Sequence, residues 1–152
     1  MIHEDYMRLA IEEAEKSVRE GNYPFSVVVV DGSGEVVWKD HDRVDEQTDP
    51  TAHGEINAIR TLCPKLGKIY IPEMTFYTTS EPCPTCMTAC IKAHVKAVYF
   101  GVDTESTASL PIKASELASR TKECDIKVVG GILGKECLDQ RNRLLEQIKA
   151  NK

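Results

Sequence analysis

Two short stretches concentrate the residues that could do chemistry: His53-Gly54-Glu55, and further along Pro82-Cys83-Pro84-Thr85-Cys86. A cysteine pair spaced i, i+3 at the start of a helix can present two thiolates to one ion. The positive end of the helix dipole favours their ionised form. With one neutral imidazole they supply three ligands of a tetrahedral site and leave the fourth position open, the arrangement of catalytic rather than structural zinc. Two thiolates also cancel the charge of the ion, so activating water there needs a neighbouring base, and Glu55 is the candidate. On a regular helix residues 53 and 55 face roughly opposite ways. Both reach one ion only if it lies off the helix tip, and Thr51 or Asp49 capping the helix just before His53 would place it there.

Two simpler readings compete. A lone Cys-x-x-Cys in an α/β chain suits a redox pair, but that leaves His53 and Glu55 unexplained. A structural zinc site needs a fourth ligand, and Cys63, Cys90, Cys124 and Cys137 offer no second pair at that spacing. Cys90 reads as a small buried apolar residue. His3, His41 and His94 are isolated and read as solvated or hydrogen-bonded side chains.

The elements that must position these residues follow from periodicity. Ile2, Tyr6, Leu9, Ala10 and Ala14 recur at helical spacing, and Gly21-Asn22 ends that helix. Residues 24–30 form a continuous β-branched run, the mark of a strand buried on both faces. Asp31-Gly32-Ser33-Gly34 then turns into a second strand over 35–38. Residues 40–50 carry five acids against one arginine and read as a loop. Helices are expected over residues 51–62, 82–93, 111–119 and 134–149, and strands over 74–79, 96–101 and 126–129. The alternation implies a three-layer α/β/α sandwich around a mixed five-stranded sheet. A helix between the last two strands makes their pairing parallel.

At 152 residues, 41% hydrophobic and 28% charged, the chain reads as a single domain over 1–152. No apolar run approaches the roughly 20 residues of a membrane helix, and the start lacks the basic-then-apolar order of a signal peptide. Six cysteines without an export signal suit thiols or metal ligands in the cytoplasm. A formal charge of −5 argues against nucleic acid as the main partner while allowing a local basic patch.

The paired motifs resemble the cytidine-deaminase-like zinc deaminase superfamily. That resemblance implies His53, Cys83 and Cys86 as Zn²⁺ ligands, Glu55 as the proton shuttle, an α/β/α fold and a homodimer. Asp49 through Glu55 and Ser80 through Cys86 are similar to guanine deaminases and bacterial tRNA adenosine deaminases. Tyr77-Thr78-Thr79, and Gly54 where alanine is commoner, resemble fungal cytosine deaminase. Such relatives carry an asparagine where this chain has Asp42. An ionised Asp only accepts hydrogen bonds, so a pocket containing it favours a ring that presents a donor; a solvated Asp42 in a shifted loop is the other reading. Phe25, Ala52 and Glu81 complete the expected substrate contacts.

For substrate, the resemblance leaves a choice. Gly131-Ile132-Leu133 and a basic last helix (Arg141, Arg143, Lys149, Lys152) resemble the tRNA enzymes. The acidic 40–50 stretch, and Val102-Asp103-Thr104-Glu105-Ser106 without basic character, oppose phosphate. The expectation is therefore a small-molecule substrate, a guanine-like free base or related heterocycle. A tRNA wobble adenosine is the alternative, so nucleic acid is possible but not favoured. A non-catalytic binding subunit of the same fold is the third reading, although such subunits usually lose the glutamate that is present here.

Overall fold

The β-branched run after Pro24 forms the middle of the sheet. In this computed structural model, which describes residues 1–103 and 110–152, the chain opens with helix α1 (His3–Arg19) and strand β1 (Ser26–Val30). All five residues of β1 are buried. It lies between β2 (Val36–His41) and β3 (Thr75–Ser80) and is antiparallel to both. Next to β3 come β4 (Ala97–Val102) and β5 (Lys127–Val129), each in parallel pairing with its neighbour, so the order is β2-β1-β3-β4-β5. The parallel steps are made through α4 (Pro84–Lys92) and α5 (Ala114–Arg120), as the sequence pattern requires.

Alternation along the strands divides the core. Val27, Val29, Phe76 and Val98 face one side, where they meet Ala58 and Leu62 of α3 (Gly54–Leu66), Met87 of α4 and Ala114 of α5. Val28, Val30, Tyr77 and Tyr99 face the other, against Met7 and Ala10 of α1 and Cys137 of α6 (Gly134–Ala150). The expected three-layer arrangement is present, with helices on both faces of a mixed sheet. Among the described residues no helix is long and apolar enough to cross a membrane.

Several boundaries differ from the sequence reading, some of them by most of a helical turn or more. The 40–50 stretch is not all loop: β2 runs on to His41, and a one-turn helix, α2 (Val44–Gln47), follows. Ion pairs that periodicity cannot register hold this segment, with Arg43 bridging Asp40 at 2.9 Å and Glu46 at 3.0 Å. The third helix starts at Gly54 rather than near residue 51, and α5 starts at Ala114, with Pro111 outside it. Of the Val102–Ser106 stretch read as lacking basic character, Thr104, Glu105 and Ser106 lie outside the described residues.

The end of β4 allows no side chain. A Cβ on Gly101 would stand 2.5 Å from Cys137 Sγ and 2.8 Å from the Thr79 carbonyl oxygen. Gly101→Ala must push α6 off the sheet and is expected to cost about 1–3 kcal/mol. Thermal unfolding checks this, and an unchanged midpoint would show that α6 can shift freely.

Candidate active site

Two helix starts meet at one corner of the molecule. His53 is the N-cap residue of α3 and Cys83 that of α4, both in extended conformation, with Pro84 in the first turn of α4. Because a cap residue stands outside the helix, its side chain swings past the tip. This removes the difficulty of residues 53 and 55 facing opposite ways: His53 reaches over the end while Glu55 projects from the first turn. The expected cap is not used. Asp49 Oδ1 instead accepts from the backbone N–H and hydroxyl of Thr51, both at 2.8 Å. A short acidic side chain closes its own turn before it can reach the helix.

His53 Nδ1 lies 3.3 Å from Cys86 Sγ and 3.6 Å from Cys83 Sγ, and the three ligand atoms fall within 4.8 Å of one another. A tetrahedral ion with bonds of about 2.0–2.3 Å holds its ligand atoms roughly 3.5 Å apart, so the donor set fits zinc in type and spacing. Without metal the three share protons. Cys83 is pulled down to about 4, chiefly because the Cys86 thiol donates to it and then by its bond to His53. His53 is raised to about 9 by its bond to the Cys83 thiolate. Cys86 is pushed far up, by that donated proton and by burial.

Glu55 sits beside this cluster at 7% exposure. Burial raises its carboxyl to about 7, opposed by the charge of His53 and reinforced by that of Cys83. A carboxyl poised near neutrality can take up a proton and give it back at physiological pH.

The cluster opens into a cavity of about 600 Å³ whose wall includes Phe25, Asp42, Glu55, Glu81 and Arg141. Asp42 is buried, and its carboxylate accepts from the backbone N–H of Val44 at 3.2 Å and of Tyr23 at 3.4 Å. Glu81 is also buried and accepts from the N–H of Ala114 at 2.7 Å, tying the start of α5 to the cavity. Ala52 lies buried behind His53, outside the cavity wall, with its carbonyl taken by Arg43 N–H and the Asn57 amide. That amide also donates to the His41 carbonyl at 2.9 Å, fastening α3 to the end of β2.

Sequence reasoning missed Tyr23 and Ser80 in the wall, because nothing in residue type marks a loop or strand end as facing a cavity. His41, read as isolated, is fully buried, with Nδ1 2.6 Å from Glu13 and Nε2 3.2 Å from Glu20. Glu13 belongs to α1 and Glu20 is its C-cap residue, both far away in sequence.

Residues 1–102 match the family model of the cytidine and deoxycytidylate deaminase zinc-binding region, and the chain belongs to this family of deaminases. Zinc is its cofactor, and the His53, Cys83 and Cys86 cluster is a group able to hold it. Among relatives, the tRNA-specific adenosine deaminase of Haemophilus influenzae is 27% identical over 149 residues, covering 98% of this chain and 86% of that protein. The guanine deaminase of Bacillus subtilis is 36% identical over 104 residues, 68% of this chain and 66% of that one. A solved structure from a study of tRNA:A34 deaminases and A-to-I editing at the wobble position superposes with a TM-score of 0.79 at 28% identity. It covers 90% of this chain and 98% of its own.

At pH 7 the metal-free cluster carries protons on His53 and Cys86, while Cys83 is already ionised. Zinc uptake should release about two protons per ion, with affinity rising as pH rises. Titration calorimetry in buffers of different ionisation heat reads this number. Uptake without proton release would contradict the assignment of these ligands.

Proposed function

We propose that this chain is a zinc-dependent hydrolytic deaminase acting on adenosine in tRNA, working as one domain over residues 1–152. The observation that carries the deaminase reading is the buried carboxyl of Glu55 against the His53, Cys83 and Cys86 cluster. When bound by those residues, zinc supplies Lewis-acid polarisation of water. In this reading Glu55 accepts a proton from the water that attacks the amine-bearing ring carbon. It delivers that proton to the ring nitrogen, then takes a second from the hydroxyl newly formed on the attacked carbon and gives it to the departing amine, acting as base and acid in one turnover. Phe25 offers an apolar wall for the ring. Asp42 and Glu81 hold the cavity through their backbone partners and keep free lone pairs for a donor on the base.

Likeness along the chain supports tRNA. The H. influenzae enzyme aligns with 98% of this sequence, α6 included, whereas the guanine deaminase alignment covers 68%. This moves the weight from the free-base expectation to its alternative. A guanine-like free base stays as a second reading, favoured by Asp42, an acceptor-only group in the cavity wall that suits a ring rich in N–H donors. A homodimer is part of the proposal, with the exposed Ile69 and Tyr70 leaving apolar surface for a second copy. So is a cytoplasmic site of action.

Glu55→Ala should keep zinc and fold but lose activity by about 10²- to 10⁴-fold; retention of more than a tenth of the rate would place the shuttle elsewhere. Ammonia release and inosine formation should be measured on a tRNA anticodon stem-loop, guanine, cytosine and adenosine. Inosine in the stem-loop supports the first reading. Ammonia from guanine alone would replace it with the second, and ammonia from none would leave a binding subunit. Light scattering should give twice the 16.9 kDa chain mass, and a monomer would remove the dimer from the proposal.

A further inference from the structure

The end of β2 and the start of α3 meet backbone to backbone. A Cβ on Gly54, between the ligand His53 and the carboxyl-bearing Glu55, would stand 3.3 Å from His41 Cα and 3.3 Å from Val27 Cγ1. The first turn of α3 therefore rests on His41 with no side chain between them. Three residues beyond Gly54, the Asn57 amide donates to the His41 carbonyl at 2.9 Å. The His53 side chain makes no capping bond to α3, so the contacts to His41 carry much of the placement of the turn that bears Glu55.

From the opposite layer, α1 holds the His41 ring. That ring is fully buried, with Nδ1 2.6 Å from Glu13 and Nε2 3.2 Å from Glu20 but out of line for a hydrogen bond. Burial opposes the charge of Glu13, yet the bond to His41 and the positive charges around it hold that carboxyl below its ordinary value. The ring takes no part in the cavity wall, although the next residue, Asp42, does. An apolar ring in this space would avoid the penalty of burying an imidazole and a carboxylate together. The polar pair supplies instead a directional grip, which fixes where the His41 backbone lies.

We infer that His41 is a positioning residue for the reaction: gripped by Glu13, it seats the first turn of α3 and so sets the reach of Glu55 to the reacting atoms. The inference rests on the deaminase reading of the cavity and adds a residue that touches neither ion nor substrate. A shift of about 1 Å at a proton-transferring group can cost about 10²-fold in rate. Asp42 has bonds of its own to Val44 and Tyr23, so loosening the seat acts on proton transfer rather than on substrate binding.

The test compares the zinc-loaded full chain with His41→Gln, Glu13→Gln and the double variant His41→Phe, Glu13→Leu, which removes the pair without leaving a buried charge unpaired. Rates are measured on whichever of the anticodon stem-loop, guanine, cytosine or adenosine the wild type deaminates. The double variant should keep its zinc and lose kcat by about 10- to 100-fold, with KM changed by less than about threefold. His41→Gln, which keeps an N–H for Glu13, should recover much of that loss. Glu13→Gln, which keeps the shape of the pair and weakens its bond, should fall between wild type and the double variant. Hydrogen exchange read by mass spectrometry should quicken about tenfold or more over residues 53–58 in the double variant and stay unchanged in α6. A lowered thermal midpoint with kcat unchanged, a loss confined to KM, no recovery in His41→Gln, or unchanged exchange over residues 53–58 would overturn the inference. If the wild type releases ammonia from none of the four, the deaminase reading fails, and exchange over residues 53–58 alone decides whether His41 seats α3.

Discussion

A carboxyl, two thiols and an imidazole share one buried corner, and their mutual electrostatics constrain everything around them. No group there can be charged independently of the others. Burial, reinforced by the Cys83 thiolate, raises the Glu55 carboxyl to about 7, and His53 is raised chiefly by its bond to that thiolate, with Glu55 and Asp42 adding to it. A divalent cation held by this cluster would replace the protons of His53 and Cys86. The two helix N-termini favour the ionised thiolates, since the N-terminal end of each of α3 and α4 stabilises negative charge by about 0.3–1 kcal/mol.

The fold serves this corner by fixing where two helices begin. Parallel pairing of β3 and β4 requires a crossover, and α4 begins directly after β3 ends, which delivers Cys83 and Cys86. α3 is held by a different device: the Asn57 amide bridges the His41 and Ala52 carbonyls, and the buried His41 ring in turn grips Glu13 of α1. Removing one partner of a buried link of this kind is destabilising, because the other group is left buried and uncompensated. It lies in the layer behind the cavity wall, where Tyr23, Phe25 and Asp42 must stay in register with the ligands.

How much of this was legible in the sequence depended on the range of the interaction. The β-branched run of β1, the proline-marked helix start (expected at Pro82, found at Pro84) and the alternation of elements are local signals, and each led to an observed element. The ligand cluster was legible because residue type and spacing together leave few other uses for His53, Cys83 and Cys86. Two features were hidden for a shared reason: they depend on distant partners. His41 Nδ1 meets Glu13 of α1, and Arg141 lines the cavity from α6; helix α2 was hidden differently, because its Arg43 ion pairs are local but leave no mark on hydrophobic periodicity. The capping error had a local cause, since Asp49 can close its own turn as readily as it can cap a helix.

The central claim is an open zinc site of three protein ligands with Glu55 beside it rather than bound to the ion. Zinc-edge X-ray absorption on the purified, metal-loaded protein tests it most directly. The account predicts two sulfur neighbours at about 2.3 Å, one imidazole nitrogen at about 2.0 Å and one further light atom from solvent, with the same shell in Glu55→Ala. A shell of four sulfurs, or one that loses a ligand in Glu55→Ala, would contradict it.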